Sequence, residues 1–136
     1  MAWIGPLGGT VLMGLILAAA IAARVEAQAA RTTLNGVYTA AQAEKGEDVY
    51  YGTCVTCHPK GTYAGESFKS NWSGRPLSDL YDWVKTKMPK SDPGSLTPNQ
   101  SVQVMAYILQ QNKMPAGPTP LPTDRAVLGT IKIQLK

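Results

Sequence analysis

Two thiols and an imidazole fall within five residues in Cys54-Val55-Thr56-Cys57-His58. They are the only cysteines and the only histidine of the chain, so its soft and imidazole donors, methionines apart, are all concentrated there. Cysteines at this spacing, followed directly by histidine, form the attachment pattern of a c-type haem. Each sulfur can add to one of the two vinyl groups on a haem edge, and the next residue then lies beneath the macrocycle. Its imidazole can bind the iron there as proximal ligand. Three other chemistries compete. A structural disulfide between Cys54 and Cys57 would close too small a loop to restrain much chain. A thioredoxin-type pair needs a βαβ setting, and no strand pattern precedes Cys54. A structural zinc site needs four ligands, typically with a second ligand pair, which is absent. Covalent haem uses all three side chains.

Iron held by His58 has one further axial position. Methionine there favours the reduced iron, and no second histidine competes. Beyond the first 29 residues the methionines are Met88, Met105 and Met114. Met105 falls mid-helix on an apolar face and reads as core. Met88 and Met114 both precede proline, in irregular backbone that can turn a thioether toward iron. Met88 lies between two helices, on a loop able to pass over the opposite haem face, and is preferred. Met114, which follows the last helix and can cap the core, is the alternative, and iron left open to gas or substrate is a third reading. Trp72 is a further candidate, its indole N–H directed to a haem propionate or simply packed in the core.

Three helices must position these groups. The first runs from about Ala40 into the cysteine motif, with Gly46, Tyr50 and Cys54 four apart on one face. Glycine in mid-helix costs about 1 kcal/mol relative to alanine, which predicts another helix crossing closely over it. Residues 59–75 read as loop, with Phe68 and Trp72 as its large side chains. The second helix is marked by Ser78 as N-cap, Asp79 in the first turn, and Leu77, Leu80, Tyr81, Val84 and Met88 at amphipathic spacing. Pro89 ends it, leaving Met88 extended at its edge. The third has the clearest start, with Thr97 as N-cap, Pro98 at N1 and Gln100 at N3 making a capping box. It is apolar over so much of its girth, from Val102 to Leu109, that it must be buried on more than one side. The Pro-rich stretch from 115 to 122 cannot be helical, and Ile131 and Ile133 alternate with polar residues as in a short extended tail.

At 136 residues the chain is one domain plus whatever is removed or unstructured. With 16% charged residues it is globular rather than disordered. One Phe, three Trp and six Tyr make a small native core, much of which a haem would fill. The net charge of +4 suits acidic partners or anionic membranes. No basic run interleaves with aromatics, which argues against nucleic acid. Residues 1–29 read as a targeting segment: positions 11–23 are apolar and uncharged, and Ala27-Gln28-Ala29 resembles a cleavage site. The n-region lacks Lys and Arg, however, and the uncharged run over 2–23 is long enough to span a bilayer if retained. Cleaved signal peptide is the first choice and N-terminal membrane anchor the second. Both export the haem domain, and because Arg24 and Glu26 leave together the net charge stays +4. Residues 30–39 are then a linker, and 40–136 the haem domain with its Pro-rich tail from 115.

Over residues 40–112 the chain resembles the small single-haem cytochrome c family with His/Met ligation. The resemblance rests on Gly46-x-x-x-Tyr50-x-x-x-Cys54 leading into Cys57-His58, on Lys87-Met88-Pro89, and on Met105-Ala106-Tyr107-Ile108-Leu109. It implies an all-α fold of three main helices around one covalent haem. It further implies that the first and last helices cross where Gly46 and Tyr50 meet Val104 and Tyr107, and that the Met-Pro loop carries the axial Met88. More narrowly, Asn71-Trp72-Ser73-Gly74, the Pro-Gly-Ser-Leu-Thr run after Met88-Pro89, and the ending Gln111-Asn112-x-x-Pro115-Ala116-Gly117 are similar to bacterial modules associated with quinoprotein dehydrogenases. One departure stands out. The family commonly sets a proline shortly after the haem histidine, its carbonyl accepting the histidine N–H, and no proline occurs from 60 to 75.

The expected function is one-electron transfer in the periplasm, or on the periplasmic face of the inner membrane if the anchor is retained. Cys54 and Cys57 would hold the haem, and His58 and Met88 its iron. Lys60, Lys85, Lys87 and Lys90 either steer an acidic redox partner or are ordinary solvated charges. Two alternatives remain: a haem subunit bound permanently to a dehydrogenase or membrane complex, and an enzyme or gas sensor with open iron.

Overall fold

The computed structural model describes residues 31–136; the expected targeting segment over 1–29 lies outside the described residues. Helix α1 spans Ala40–Thr53, α2 Glu66–Trp72, α3 Leu77–Lys87, α4 Pro98–Gln111 and α5 Arg125–Gly129. Helices α1, α3 and α4 are the long ones. Two dipeptide strands, β1 (Arg31–Thr32) and β2 (Ile131–Lys132), pair in parallel with Arg31 opposite Ile131. The all-α class holds.

Capping starts the two longest helices. The Thr39 hydroxyl accepts from the Gln42 N–H at 3.1 Å to open α1. At α4 both halves of the capping box form, with Gln100 N–H on the Thr97 hydroxyl at 3.2 Å and Thr97 N–H on the Gln100 side chain at 2.9 Å. These bonds satisfy donors that a helix start otherwise leaves orphaned. Helices α1 and α4 then pack on each other more extensively than any other pair. A Cβ on Gly46 would overlap the Gln103 carbonyl and stand 3.1 Å from Cβ of Tyr107. The helix-propensity cost of Gly46 is therefore the condition for the close crossing. Beside it the Tyr50 and Tyr107 rings meet at 5.2 Å between centroids, a contact of about 1 kcal/mol beyond area burial. Helix α4 is buried from Ser101 to Leu109 except Gln103, which is half-buried, as its apolar girth requires.

Three local expectations are corrected. Residues 31–38 are not a linker: Thr33, Val37 and Tyr38 are buried, and the Tyr38 hydroxyl donates to the Met114 carbonyl at 2.7 Å. One polar and two apolar residues in an irregular turn have no period to betray them. Within 59–75, Glu66–Trp72 is helical rather than loop, with Phe68 and Trp72 one turn apart and stacked at 6.4 Å. Helix α3 begins one residue before Ser78, with Pro76 as its cap, so Ser78 is an inside position buried against Gly129. The extended tail, as expected, follows the Pro-rich stretch, and it packs on the domain. Gln42 brackets Leu121 with two amide bonds, at 2.8 and 3.0 Å, and Asp124 caps α5. Beyond it the strand alternates as expected: Ile131 and Ile133 point inward, Lys132 and Gln134 outward. Its backbone bonds tie Ile133 to Gly74 and Arg75, while the Thr33 hydroxyl holds Gln134.

Candidate functional site

The cysteine motif begins where α1 stops. Cys54 is the C-cap, its N–H on the Tyr50 carbonyl at 2.7 Å, and the backbone then turns so that Cys57 and His58 N–H both reach the Cys54 carbonyl. The turn presents Cys54 half-buried, Cys57 exposed and His58 half-buried, with both thiols free. Two tyrosines secure the histidine. The Tyr50 hydroxyl donates to the His58 carbonyl at 2.7 Å, and the Tyr63 hydroxyl lies 3.2 Å from each ring nitrogen. Burial pushes the Cys54 thiol up, and burial first, then the nearby Cys54, does the same to the Tyr50 and Tyr63 phenols. All three groups are therefore neutral at neutral pH.

Cys54, Cys57 and His58 open onto a cavity of about 300 Å³. Met88 lines the same cavity, as do Trp72 and an apolar wall of Leu80, Val84, Leu96, Val104 and Ile108. Helix α3 supplies Leu80 and Val84, α4 supplies Val104 and Ile108, and the chain between them supplies Met88 and Leu96. Met88 is the C-cap of α3 in extended conformation, as a residue before proline should be, and the Met88–Pro89 peptide is cis. The following turn folds back on α3, where Lys85 Nζ donates to the Gly94 carbonyl at 2.9 Å. Met105 and Met114, by contrast, are buried in the core and do not line the cavity.

Trp72 is half-buried at the cavity, stacked on Phe68 from inside the protein, while the Arg75 guanidinium lies 4.6 Å from its ring centroid. Arg75 in turn pairs with Asp79 at 3.0 Å. All five candidates (Cys54, Cys57, His58, Trp72 and Met88) thus converge on one cavity. Sequence reasoning missed Tyr63, whose signal was no more than an isolated tyrosine five residues past His58, in a turn without periodicity.

The donor set fits a covalent haem: two thiols one turn apart, an imidazole next to them, a thioether in the same cavity, and apolar walls. A helical domain with this motif at the end of its first helix is a c-type cytochrome. Residues 41–108 match the family described as cytochrome c oxidase, cbb3-type, subunit III, and the chain belongs to that cytochrome c family. No curated protein and no solved structure matches it. Membership implies covalently bound haem c with iron, for which Cys54 and Cys57 have the required spacing.

Proposed function

We propose that this protein is an exported single-haem electron carrier, with His58 and Met88 as the axial ligands. The observation that carries the reading is the shared cavity: Cys54, Cys57, His58 and Met88 line one wall system, while the two other described methionines are buried elsewhere. The haem supplies a metal that changes oxidation state by one electron, with the thioether favouring the reduced form. The chain's own contribution is to hold and to shield. Tyr50 fixes the His58 main chain, the Pro89–Gly94 turn returns on α3 to carry Met88, and the apolar wall keeps water from the sixth position. Trp72 lines the cavity beside the Arg75 guanidinium, and the pair would hold a haem propionate there. These roles describe a carrier rather than an enzyme.

Partner choice follows from charge. Lys60, Lys87 and Lys90 are exposed, and Lys90 lies on the cavity rim. Lys85 is half-buried and spent on the Gly94 carbonyl, which removes it from the docking set. We assign Lys60, Lys87 and Lys90 to steering an acidic redox partner, and the motif resemblance favours a quinoprotein dehydrogenase as the donor. Cytochrome c domains are typically exported, and no helix among the described residues is long and apolar enough to cross a membrane. The first of these fits a periplasmic domain, free or tethered through the uncharged run over 2–23.

The family description as an oxidase subunit supports a second reading, a haem module held permanently in a membrane complex. The test of the carrier is carbon monoxide. Reduced protein with Met88 on the iron takes it up slowly or not at all, whereas rapid binding makes the iron open and removes the carrier reading. Copurification of the full chain with a stoichiometric oxidoreductase from detergent-solubilised membranes would replace the free carrier with the subunit.

A further inference from the structure

We propose that Tyr63 is the positioning residue of the haem histidine, its hydroxyl accepting the His58 ring N–H that faces away from iron. This rests on His58 being an axial ligand. A metal-bound imidazole almost always gives its second ring N–H to a carboxylate, carbonyl or water, which sets the tautomer, fixes the ring and raises the basicity of the ligand. The proline carbonyl that the cytochrome c resemblance leads one to expect has no counterpart over 60–75. Among the described residues the Tyr63 hydroxyl is the one side-chain group within hydrogen-bonding distance of the His58 ring, at 3.2 Å from Nδ1 and from Nε2. A hydroxyl donates or accepts as its partner demands. Equal distances set the hydroxyl beside both nitrogens and off the axis of either N–H, so a turn of the imidazole about Cβ–Cγ aligns it with the nitrogen that iron leaves free.

The placement of Tyr63 is itself enforced. The Asn112 side-chain amide donates to the Tyr63 carbonyl at 2.7 Å and accepts from the Gly65 N–H at 3.0 Å. Asn112 is the C-cap of α4, and its amide also bonds the Ile108 carbonyl at 2.8 Å. The turn bearing Tyr63 is thereby clipped to the end of the helix that floors the cavity. With its main chain on Tyr50 and its ring beside Tyr63, His58 is held from two directions. An acceptor on the ring N–H makes the imidazole a stronger donor to iron and stabilises the oxidised form, so Tyr63 lowers the reduction potential.

The test uses the haem-loaded full chain, comparing wild type with Tyr63→Phe, which keeps the ring and deletes the oxygen. The midpoint potential of the variant should shift upward, and the His58 ring N–H, followed by NMR, should exchange faster with solvent. Tyr51→Phe, on an exposed ring, should change neither. A variant that keeps covalent haem and its low-spin spectrum with wild-type potential and exchange overturns the assignment. Should Tyr63→Phe fail to load haem, Asn112→Ala decides: it leaves the hydroxyl and frees its turn, so a smaller upward shift supports Tyr63 and an unchanged potential overturns it. Failure of the ligand reading itself looks different, since the wild type would then lack low-spin bands.

Discussion

The α1–α4 crossing and the cavity beside it share Tyr50 and α4 but are filled in opposite ways. At the crossing the backbones touch: Gly46 leaves no room for a methyl group over the Gln103 carbonyl, and Tyr50 lies against Tyr107. A short distance along the same helices, Val104 and Ile108 face about 300 Å³ that no side chain of the described residues fills. Protein interiors are close-packed with few voids larger than a water molecule, so the second arrangement is a seat kept for something else. The crossing specifies the fold, and the cavity specifies the cofactor. Substitutions in the first should destabilise the protein whether or not haem is attached, and those in the second should act chiefly through the haem.

The largest effect should come from removing the attachment. Cys54→Ser with Cys57→Ser should abolish haem that survives denaturation, read by haem staining of a denaturing gel. Retained staining would break the distinction outright. Next is Gly46→Ala, whose Cβ forces α1 and α4 apart; overpacking of this kind costs about 3 kcal/mol, measurable as a lowered denaturation midpoint. If the loss is small, the crossing is softer than the geometry implies. Gln42→Ala strips both partners from the Leu121 backbone. It should cost roughly 1–2 kcal/mol without altering the visible spectrum, sharpening the separation between frame and seat.

Tyr107 adds a pH signature to the crossing. Its hydroxyl is buried without a hydrogen-bond partner among the described residues, and burial, reinforced by the neighbouring Glu47 and Tyr51, pushes its pKa up to about 12 from 10.0. The folded state holds this proton more tightly than the unfolded chain. Its contribution is thus complete below pH 10 and lost as pH rises toward 12. Urea midpoints measured across that window should fall less steeply for Tyr107→Phe. Smallest should be Arg125→Ala, which breaks an exposed pair with Asp82. Its midpoint should stay within experimental scatter, because solvent screens such pairs.

The parts legible in the sequence were those where chemistry or period left a mark. The cysteine motif, the Thr97 capping box, Gly46 under a crossing helix and Met88 before proline each state a local physical requirement; the structure forms the box, crosses α4 over Gly46, and brings the motif and Met88 to one cavity. What was not legible is held by long-range bonds between irregular segments. Tyr38 on Met114, Gln42 on Leu121, Thr33 on Gln134 and Asn112 on the Tyr63 turn join residues far apart in sequence. A polar side chain that pairs with a distant backbone group resembles any solvated Gln or Asn until the fold is known. Helix α2 was missed because seven residues fall just short of two turns, although Phe68 and Trp72 at i and i+4 were its signal.

The most direct measurement is the absorption of the oxidised protein beside Met88→Ala and Met114→Ala. A cavity clamped between His58 and Met88 predicts a weak long-wavelength band from iron–thioether ligation, lost in Met88→Ala and kept in Met114→Ala. A wild type without that band, or a band that survives Met88→Ala, would contradict the account.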